Sequence, residues 1–198
     1  VRKKLFPDVD FSRYQIVLGS FQKDGLGWQD GFSPKLEKGP DLLVDTLKIL
    51  SKSYHVLAVL SGPARGYVKQ KLDSARIHYI HREFSDPLDV SLLYSVIDLY
   101  LLTARNEGGP ESIPASLACK CPMISTDVGM ARDWLPSEWI VESGHPEALA
   151  EAIEKTMSQS DVDRVSGNLY SKTHLLTDES MSQNFTGIYR EALTCLER

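Results

Sequence analysis

The sequence has few cysteines, no excess of basic charge and no long apolar run, and each absence excludes a class of protein. Its 198 residues include 3 cysteines, an odd number that fits free thiols in a reducing compartment better than a disulfide framework. Acidic residues outnumber basic ones, 27 to 22, so nucleic acid is not expected as the main partner. No apolar run approaches the ~18 residues that a membrane-spanning helix needs. We therefore expect a soluble, cytoplasmic protein.

Common metal-binding and phosphate-binding motifs are also absent. A single residue separates Cys119 from Cys121, whereas two residues separate the cysteines of a zinc-binding pair. No second ligand pair follows, so we expect no metal site. There is no Walker phosphate loop. The sequence Gly25-Leu-Gly27 lies in a loop that lacks the strand and helix of a dinucleotide-binding fingerprint.

Short apolar runs alternate with amphipathic segments along most of the chain, and 42% of the residues are hydrophobic, enough for a core. This alternation predicts an α/β domain with a parallel, doubly wound sheet of about six strands. The predicted strands are 15–20, 54–61, 77–81, 99–103, 123–126 and 139–142. The predicted helices are 38–50, 66–72, 87–96, 113–119 and 146–157, followed by two helices within 161–198 that break near 173–178.

The most informative stretch, 105–126, joins the fourth and fifth predicted strands through an acidic, glycine-rich loop and a helix of small residues. In an open α/β sheet, ligands bind at the carboxyl ends of the strands, and a helix that begins there presents free N–H groups to an anion. Glu107 lies at the mouth of this loop, where its carboxylate can accept hydrogen bonds from ligand hydroxyls. The sequence therefore predicts a ligand site at this end of the sheet.

This stretch, with Glu107-Gly-Gly-Pro110 and the strand that starts at Pro122-Met-Ile-Ser-Thr126, resembles the nucleotide-sugar loop of glycosyltransferase family 4, also called group 1. The resemblance covers roughly residues 14–193 and implies a Rossmann-like three-layer sandwich, one half of the GT-B fold. Residues 14–198 would be the C-terminal, donor-binding domain. Residues 1–13, polar and turn-forming, would end a linker from an acceptor-binding N-terminal domain that lies outside this sequence.

The resemblance also implies roles for individual residues. Glu107 would contact hydroxyls of the transferred sugar, and Lys38, in the family's Lys-Gly pair, would neutralise the donor diphosphate. The backbone of Gly108, Gly109, Pro110 and Glu111 would contact sugar and phosphate. Gly62, in the turn that follows the second strand, would take part in donor binding. His81 and Arg82 would lie at the nucleotide base, where His81 either stacks on the base or faces solvent. The alternative for Lys38 and Glu107 is a solvated charge.

The chain departs from the family pattern at two positions. Ser20, after Gly19, stands where the family usually has an Arg just after the glycine of the first strand. We expect Arg65 to replace that cation; the alternative for Arg65 is a charge on a surface loop. Ala115 stands where a second Glu binds the ribose, and Glu111, one helical turn earlier, could take its place or simply favour the helix N-terminus. Lys120 also replaces the glycine that usually follows the helix.

The function implied is retaining transfer of a sugar from a nucleoside-diphosphate sugar to a glycan, lipid or other hydroxyl, with no metal or other cofactor. The isolated domain would be inactive, and the missing domain could bring the enzyme to a membrane surface. Ser20 and Ala115 favour an alternative, a non-catalytic sugar-nucleotide binding or scaffold module. A GT-B epimerase or phosphorylase is a further rival, but the pyridoxal-phosphate lysine of a phosphorylase and the His and Glu pattern of an epimerase are missing.

The long connection 23–37 between the first strand and the next helix carries Trp28 and Phe32 among glycines and aspartates. Long loops in compact domains are often functional. We expect a mobile flap beside the diphosphate, whose two aromatic side chains pack on the domain, on the donor or on the N-terminal domain. The alternative is a static loop anchored by Trp28.

Overall fold

The computed structural model describes residues 1–84, 86–159, 162–177, 179–180, 182–183 and 186. At its centre is a six-stranded parallel sheet with the strand order β3-β2-β1-β4-β5-β6, so the order reverses between β1 and β4. The prediction of a doubly wound α/β sheet of about six parallel strands is confirmed. The strands are β1 (Ile16–Phe21), β2 (Val56–Ser61), β3 (His78–His81), β4 (Leu99–Leu102), β5 (Met123–Thr126) and β6 (Ile140–Val141).

Helices flank the sheet. They are α1 (Arg2–Leu5), α2 (Pro40–Leu50), α3 (Gly66–Ala75), α4 (Ser91–Tyr94), α5 (Ser112–Ala118), α6 (Ala131–Trp134), α7 (Pro146–Ser158) and α8 (Val162–Tyr170). Short 3₁₀ turns occur at Phe11–Arg13, Leu36–Lys38, Pro87–Val90, Ser137–Trp139 and Thr173–Leu176. Because crossovers between parallel strands are right-handed, α2 and α3 cover one face and α5 covers the other. Helix α7 packs on α2, and α8 packs on α5.

The prediction of two helices within 161–198 falls partly outside the described residues. Helix α8 and the turn Thr173–Leu176 are described, whereas 187–198, with Cys195, are not. Cys119 and Cys121 are both free thiols.

The core lies on both faces of the central strands. Every residue of β2, β4 and β5 is buried, which is why these strands read as continuous apolar runs. Helix α2 buries the predicted stripe of Leu42, Leu43, Thr46, Leu47 and Leu50. In α7, Leu149 and Ile153 are buried as expected, but Met157 in the last turn is partly exposed.

Residues 1–13, interpreted from the sequence as the end of a linker, pack on the domain. Phe11 is buried in the core. Arg2 forms an ion pair with Asp98 at 2.6 Å, and the Arg82 guanidinium donates to the Leu5 carbonyl at 2.5 Å. These contacts fix the segment against the sheet.

Lys120 adopts a backbone conformation that usually requires glycine. It directly follows the C-cap of α5, Cys119, and its φ is 54°. A side chain with a Cβ in this left-handed region costs roughly 1–2 kcal/mol. The Lys120 ammonium lies 4.4 Å from the centroid of the Tyr170 ring, a cation–π contact that offsets part of this cost.

We predict that Lys120→Gly is more stable than Lys120→Ala by about 1 kcal/mol in urea unfolding. Both variants lose the contact with Tyr170, so their difference isolates the backbone. Lys48 provides the control, since it lies exposed in the last turn of α2, where the alanine variant should be more stable than the glycine variant. Equal stabilities of the two Lys120 variants would show that the left-handed backbone carries no cost.

Candidate functional site

Two loops meet where the strand order reverses. One contains the turn Leu36–Lys38 and follows β1, and the other contains Glu107 and follows β4. Strands β1 and β4 are neighbours in the sheet, with Gly19 opposite Tyr100. The crevice outside the carboxyl ends of two such strands is where ligands bind in open α/β sheets.

A glycine allows the two loops to touch. Gly39 has φ 63°, and a Cβ at this position would collide with the Thr103 carbonyl at the end of β4. The Thr103 hydroxyl donates to the Gly39 carbonyl at 2.9 Å, and the Gln22 amide donates to the Lys38 carbonyl at 3.0 Å. The backbone next to Lys38 is therefore held directly against the strand that leads to Glu107.

Arg105, in the loop after β4, forms hydrogen bonds with the loop after β1, and it was not predicted from the sequence. Its guanidinium binds both carboxylate oxygens of Asp41 at 2.7 Å and donates to the Leu36 carbonyl at 2.8 Å. Its own amide donates to the Glu37 carbonyl at 2.7 Å. Burial alone would raise the pKa of Asp41, but the hydrogen bonds and charge of Arg105 bring the net shift downward. The signal in the sequence was a basic residue in the loop after β4 and an acidic residue in the first turn of the helix that follows β1.

The junction brings together Lys38 and Glu107, the two residues to which the sequence analysis gave the central roles. The Lys38 ammonium donates to Oε1 of Glu107. Only 25% of the Lys38 side chain and 19% of the Glu107 side chain are exposed. The two charges are thus a partly buried ion pair, and neither is the solvated surface charge that was the alternative.

Gly108 and Gly109, next to Glu107, face solvent with open space around them. No atom lies within 4 Å of a Cβ built at either residue, and neither has a left-handed φ. Among the described residues, neither backbone amide has a hydrogen-bond acceptor. Packing in the protein therefore does not explain glycine at these positions, whereas close approach of a ligand to the backbone would.

The rest of this loop leads into α5. Pro110 is buried, and its ring lies against Gly129. Glu111 is exposed at the N-cap of α5, with no side-chain cap, and no partner for its carboxylate is found in the part of the chain that the structure describes. Ala115 lies half-buried on the next turn, and its amide donates to the Glu111 carbonyl at 3.1 Å. Glu111 is thus one turn from Ala115, as the spacing predicted.

The structure corrects the prediction that Arg65 presents a cation to a ligand in place of the Arg missing at Ser20. The side chains of Arg65 and Asp24 have no exposed surface, and they form an ion pair at 3.3 Å. Arg65 also donates to the carbonyls of Ser20 and Gln22 at 3.1 and 2.9 Å and to the Ser20 hydroxyl at 3.2 Å. Ser20 is itself buried. Sequence position located the turn correctly but not the direction of the side chain.

The charges of Asp24 and Arg65 are stabilised mainly by each other. Burial raises the pKa of Asp24, and the charge of Arg65 opposes that shift. The pair connects the loop after β1 to the turn after β2.

His81 is the last residue of β3, and Arg82 follows it at the same edge of the sheet. The His81 Nε2–H donates to the Gly62 carbonyl at 2.9 Å, and burial lowers the pKa of His81, which favours a neutral imidazole. Gly62 has φ 96°, and a Cβ there would press on the Gln22 backbone. The Arg82 guanidinium lies against the rings of Phe6 and Phe84 and forms a hydrogen bond with the Leu5 carbonyl. It thus helps to hold the N-terminal segment against the domain. These contacts occupy the Arg82 side chain, and whether His81 and Arg82 lie at a nucleotide base stays a prediction.

The loop 23–37 folds back on itself and covers the start of α3. The backbone amide of Leu26 donates to the Ser33 carbonyl, and the backbone amide of Lys35 donates to the Asp24 carbonyl, both at 2.8 Å. The first amide of α3, that of Gly66, donates to the Asp30 carbonyl at 2.5 Å.

The aromatic side chains of this loop are mostly exposed, so packing on the domain, one of the three expected alternatives, is not observed for Trp28. Trp28 is 81% exposed and Phe32 is 58% exposed. Lys23 lies over the Trp28 ring, with Nζ 3.5 Å from its centroid. Whether the loop moves on binding a donor stays a prediction.

Two further observations concern the described residues. No group of three or more His, Cys, Asp or Glu side chains among them is arranged to hold a metal ion. In the same part of the chain, every helix is too short or too polar to cross a membrane.

The decisive comparison is with protein families. A family described as "Glycosyl transferases group 1" matches residues 31–159, a range that includes Lys38 and Glu107. The chain belongs to the group 1 glycosyl transferases. A search among curated protein sequences finds no significant match.

Solved structures show the same fold at low sequence identity. Sucrose-phosphate synthase from Thermosynechococcus elongatus aligns with a TM-score of 0.74 and 19% identity, over 98% of this chain and 48% of that one. Alr3699/HepE from Anabaena, solved in complex with UDP-glucose, aligns with a TM-score of 0.71 and 18% identity, over 94% of this chain and 51% of that one. The chain therefore spans about half the length of both proteins.

A third structure is itself a domain. The C-terminal domain of a group 1 glycosyl transferase family protein (LpcC) from Francisella tularensis aligns with a TM-score of 0.63 and 18% identity. The alignment covers 79% of this chain and 83% of that domain. The Rossmann-like fold of this chain is thus that of one half of a GT-B glycosyltransferase.

We predict that Asp24→Asn lowers the free energy of unfolding by about 3 kcal/mol, because it leaves the Arg65 guanidinium buried without a counter-charge. Arg65→Met should cost a similar amount. The double variant Asp24→Asn/Arg65→Met should be more stable than either single variant, since it removes both buried charges at once. Urea unfolding of the four proteins measures this, and losses that simply add in the double variant would contradict a mutually stabilised pair.

Proposed function

We propose that this chain is the C-terminal, donor-binding domain of a retaining family 4 glycosyltransferase with the GT-B fold. The enzyme would transfer a hexose-like sugar from a nucleoside-diphosphate sugar to a hydroxyl of a glycan, lipid or other acceptor. The observation that carries the proposal is the Lys38–Glu107 pair at the point where the strand order reverses. The pair places a cation next to a carboxylate that can accept hydrogen bonds from sugar hydroxyls, and the exposed amides of Gly108 and Gly109 lie beside both.

Each group has a chemical task in this proposal. The leaving nucleoside diphosphate gains negative charge in the transition state, and the fixed Lys38 ammonium stabilises it. The Glu107 carboxylate accepts hydrogen bonds from hydroxyls of the sugar and so orients the ring. The amides of Gly108 and Gly109 donate to sugar or phosphate oxygens. No metal or other cofactor takes part in these tasks.

The rest of the enzyme would supply what this domain lacks. An N-terminal domain would bind the acceptor and could bring the enzyme to a membrane surface from the cytoplasm. The isolated domain would bind nucleotide weakly and transfer nothing. HepE, with the same fold, binds UDP-glucose, which makes uridine donors the first to test.

A second candidate is a non-catalytic module that binds or senses a sugar nucleotide. Three observations favour it over the enzyme. Ser20 is buried and uncharged, Ala115 cannot bind a ribose hydroxyl, and Arg65 is enclosed with Asp24. A charge-assisted hydrogen bond contributes roughly 1.5–3 kcal/mol, so the loss of one such bond alone lowers affinity ten- to a hundredfold. Nucleoside diphosphate release by the full-length protein, measured over a panel of donors, separates the two candidates.

We predict that the chain binds UDP-glucose in calorimetry and that Lys38→Gln weakens this binding at least tenfold, because a charge-assisted contact to the diphosphate is lost. Lys48→Gln is the matched control, since this lysine lies exposed on α2 and pairs with Asp45. If no nucleotide sugar of a broad panel binds, or if both lysine variants behave alike, the proposed donor site is wrong.

We also predict that Gly109→Ala reduces affinity for UDP-glucose while the free energy of unfolding changes by less than ~0.5 kcal/mol, as at ordinary surface positions. The added methyl group meets no protein atom but blocks a ligand that approaches the backbone. Calorimetry and urea unfolding on the same variant test both parts. Unchanged affinity would remove this backbone from the site.

A further inference from the structure

The Lys38–Glu107 pair joins two groups that, in the proposed function, serve different parts of the donor. Lys38 would bind the diphosphate, and Glu107 would accept hydrogen bonds from the sugar. In the structure each is instead the partner of the other, and about three-quarters or more of each side chain is shielded from water. Because solvent screens partly buried charges only weakly, neither group can leave the other without a replacement partner.

We propose that this ion pair is exchanged for the donor on binding, so that Glu107 competes with a nucleoside diphosphate for Lys38. The inference rests on the proposed function. It adds that the carboxylate opposes binding of the free nucleotide and favours binding of the sugar-bearing donor.

Charge explains the difference between the two ligands. When a nucleoside diphosphate without sugar takes Lys38, Glu107 is left partly buried beside a new anion and without a partner. When the ligand carries a sugar, its hydroxyls donate hydrogen bonds to the abandoned carboxylate. The sugar therefore supplies the replacement partner that the bare diphosphate lacks.

The same exchange has a consequence after the reaction. Transfer breaks the bond between the sugar and the diphosphate, and the sugar leaves with the acceptor. Glu107 then loses its hydroxyl partners and recovers Lys38. The ion pair thus promotes release of the nucleoside diphosphate and limits inhibition by this product.

The surrounding structure keeps the two groups within reach of each other throughout. Gly39 lies against Thr103, and Arg105 binds Asp41 and Leu36, so the backbones that carry Lys38 and Glu107 are fixed. Exchange then requires only rotation of two side chains.

Calorimetry of UDP and UDP-glucose with the wild-type chain and Glu107→Gln tests the inference. We expect Glu107→Gln to raise the affinity for UDP about tenfold, the scale of one charge-assisted contact, without raising the affinity for UDP-glucose. Glu37→Gln is the matched control. It removes the same charge one residue from Lys38, but its side chain faces Lys35 at 3.7 Å, so UDP affinity should stay within about twofold, as for a solvent-exposed charge.

A double-mutant cycle distinguishes competition for Lys38 from a general effect of charge. In a Lys38→Gln background, Glu107→Gln should give no further gain in UDP affinity, because the contested cation is absent. Urea unfolding of each variant checks that the fold is retained, and Glu107→Ala, which also lacks the carboxylate, should reproduce the gain if Glu107→Gln fails to fold.

The outcomes separate the two claims. If UDP-glucose binds the wild-type chain but removal of the carboxylate leaves UDP affinity unchanged or lowers it, the exchange is wrong and the donor site stands. A tenfold gain that persists without Lys38, or that Glu37→Gln reproduces, also overturns the exchange. If neither ligand binds any of the proteins, the proposed function fails and the exchange fails with it.

Discussion

The candidate site depends on one close contact, that of Gly39 with the end of β4. A side chain at residue 39 would meet the Thr103 carbonyl, and its left-handed φ of 63° also favours glycine. Without this approach, the turn that carries Lys38 could not lie against the strand that leads to Glu107. The hydrogen bonds of Thr103 and Arg105 then fix the contact and align the two loops.

The sheet provides the setting for this contact. Because the strand order reverses between β1 and β4, the helices that follow them, α2 and α5, lie on opposite faces of the sheet, and ligands bind at such a point in open α/β sheets. At the neighbouring strand, β2, the buried Asp24–Arg65 pair and the backbone hydrogen bonds of loop 23–37 cover the strand end and the start of α3. The exposed amides of Gly108 and Gly109 remain open beside Lys38 and Glu107. The junction of the two loops therefore combines a charged pair with backbone amides that are free to donate hydrogen bonds to a ligand.

Much of the fold and part of the site could be predicted from the sequence. Strands buried on both faces, such as β2, read as unbroken apolar runs, and the stripe of α2 has helical spacing, so both were found. Glu107 and Lys38 were selected because Glu107-Gly-Gly-Pro110 and Lys38-Gly39 resemble motifs of the family. The role of Arg65 was predicted wrongly because its position in a turn does not fix the direction of its side chain. Arg105 was missed because its partner, Asp41, is 64 residues away.

The central claim is that a nucleotide-sugar donor occupies the junction between the two loops and separates Lys38 from Glu107. The most direct measurement is a crystal structure of the chain soaked with UDP-glucose. The account predicts the Lys38 ammonium on the diphosphate, the Glu107 carboxylate on sugar hydroxyls, and an unchanged contact of Gly39 with Thr103. A bound donor that lies elsewhere while Lys38 and Glu107 stay paired would contradict the account.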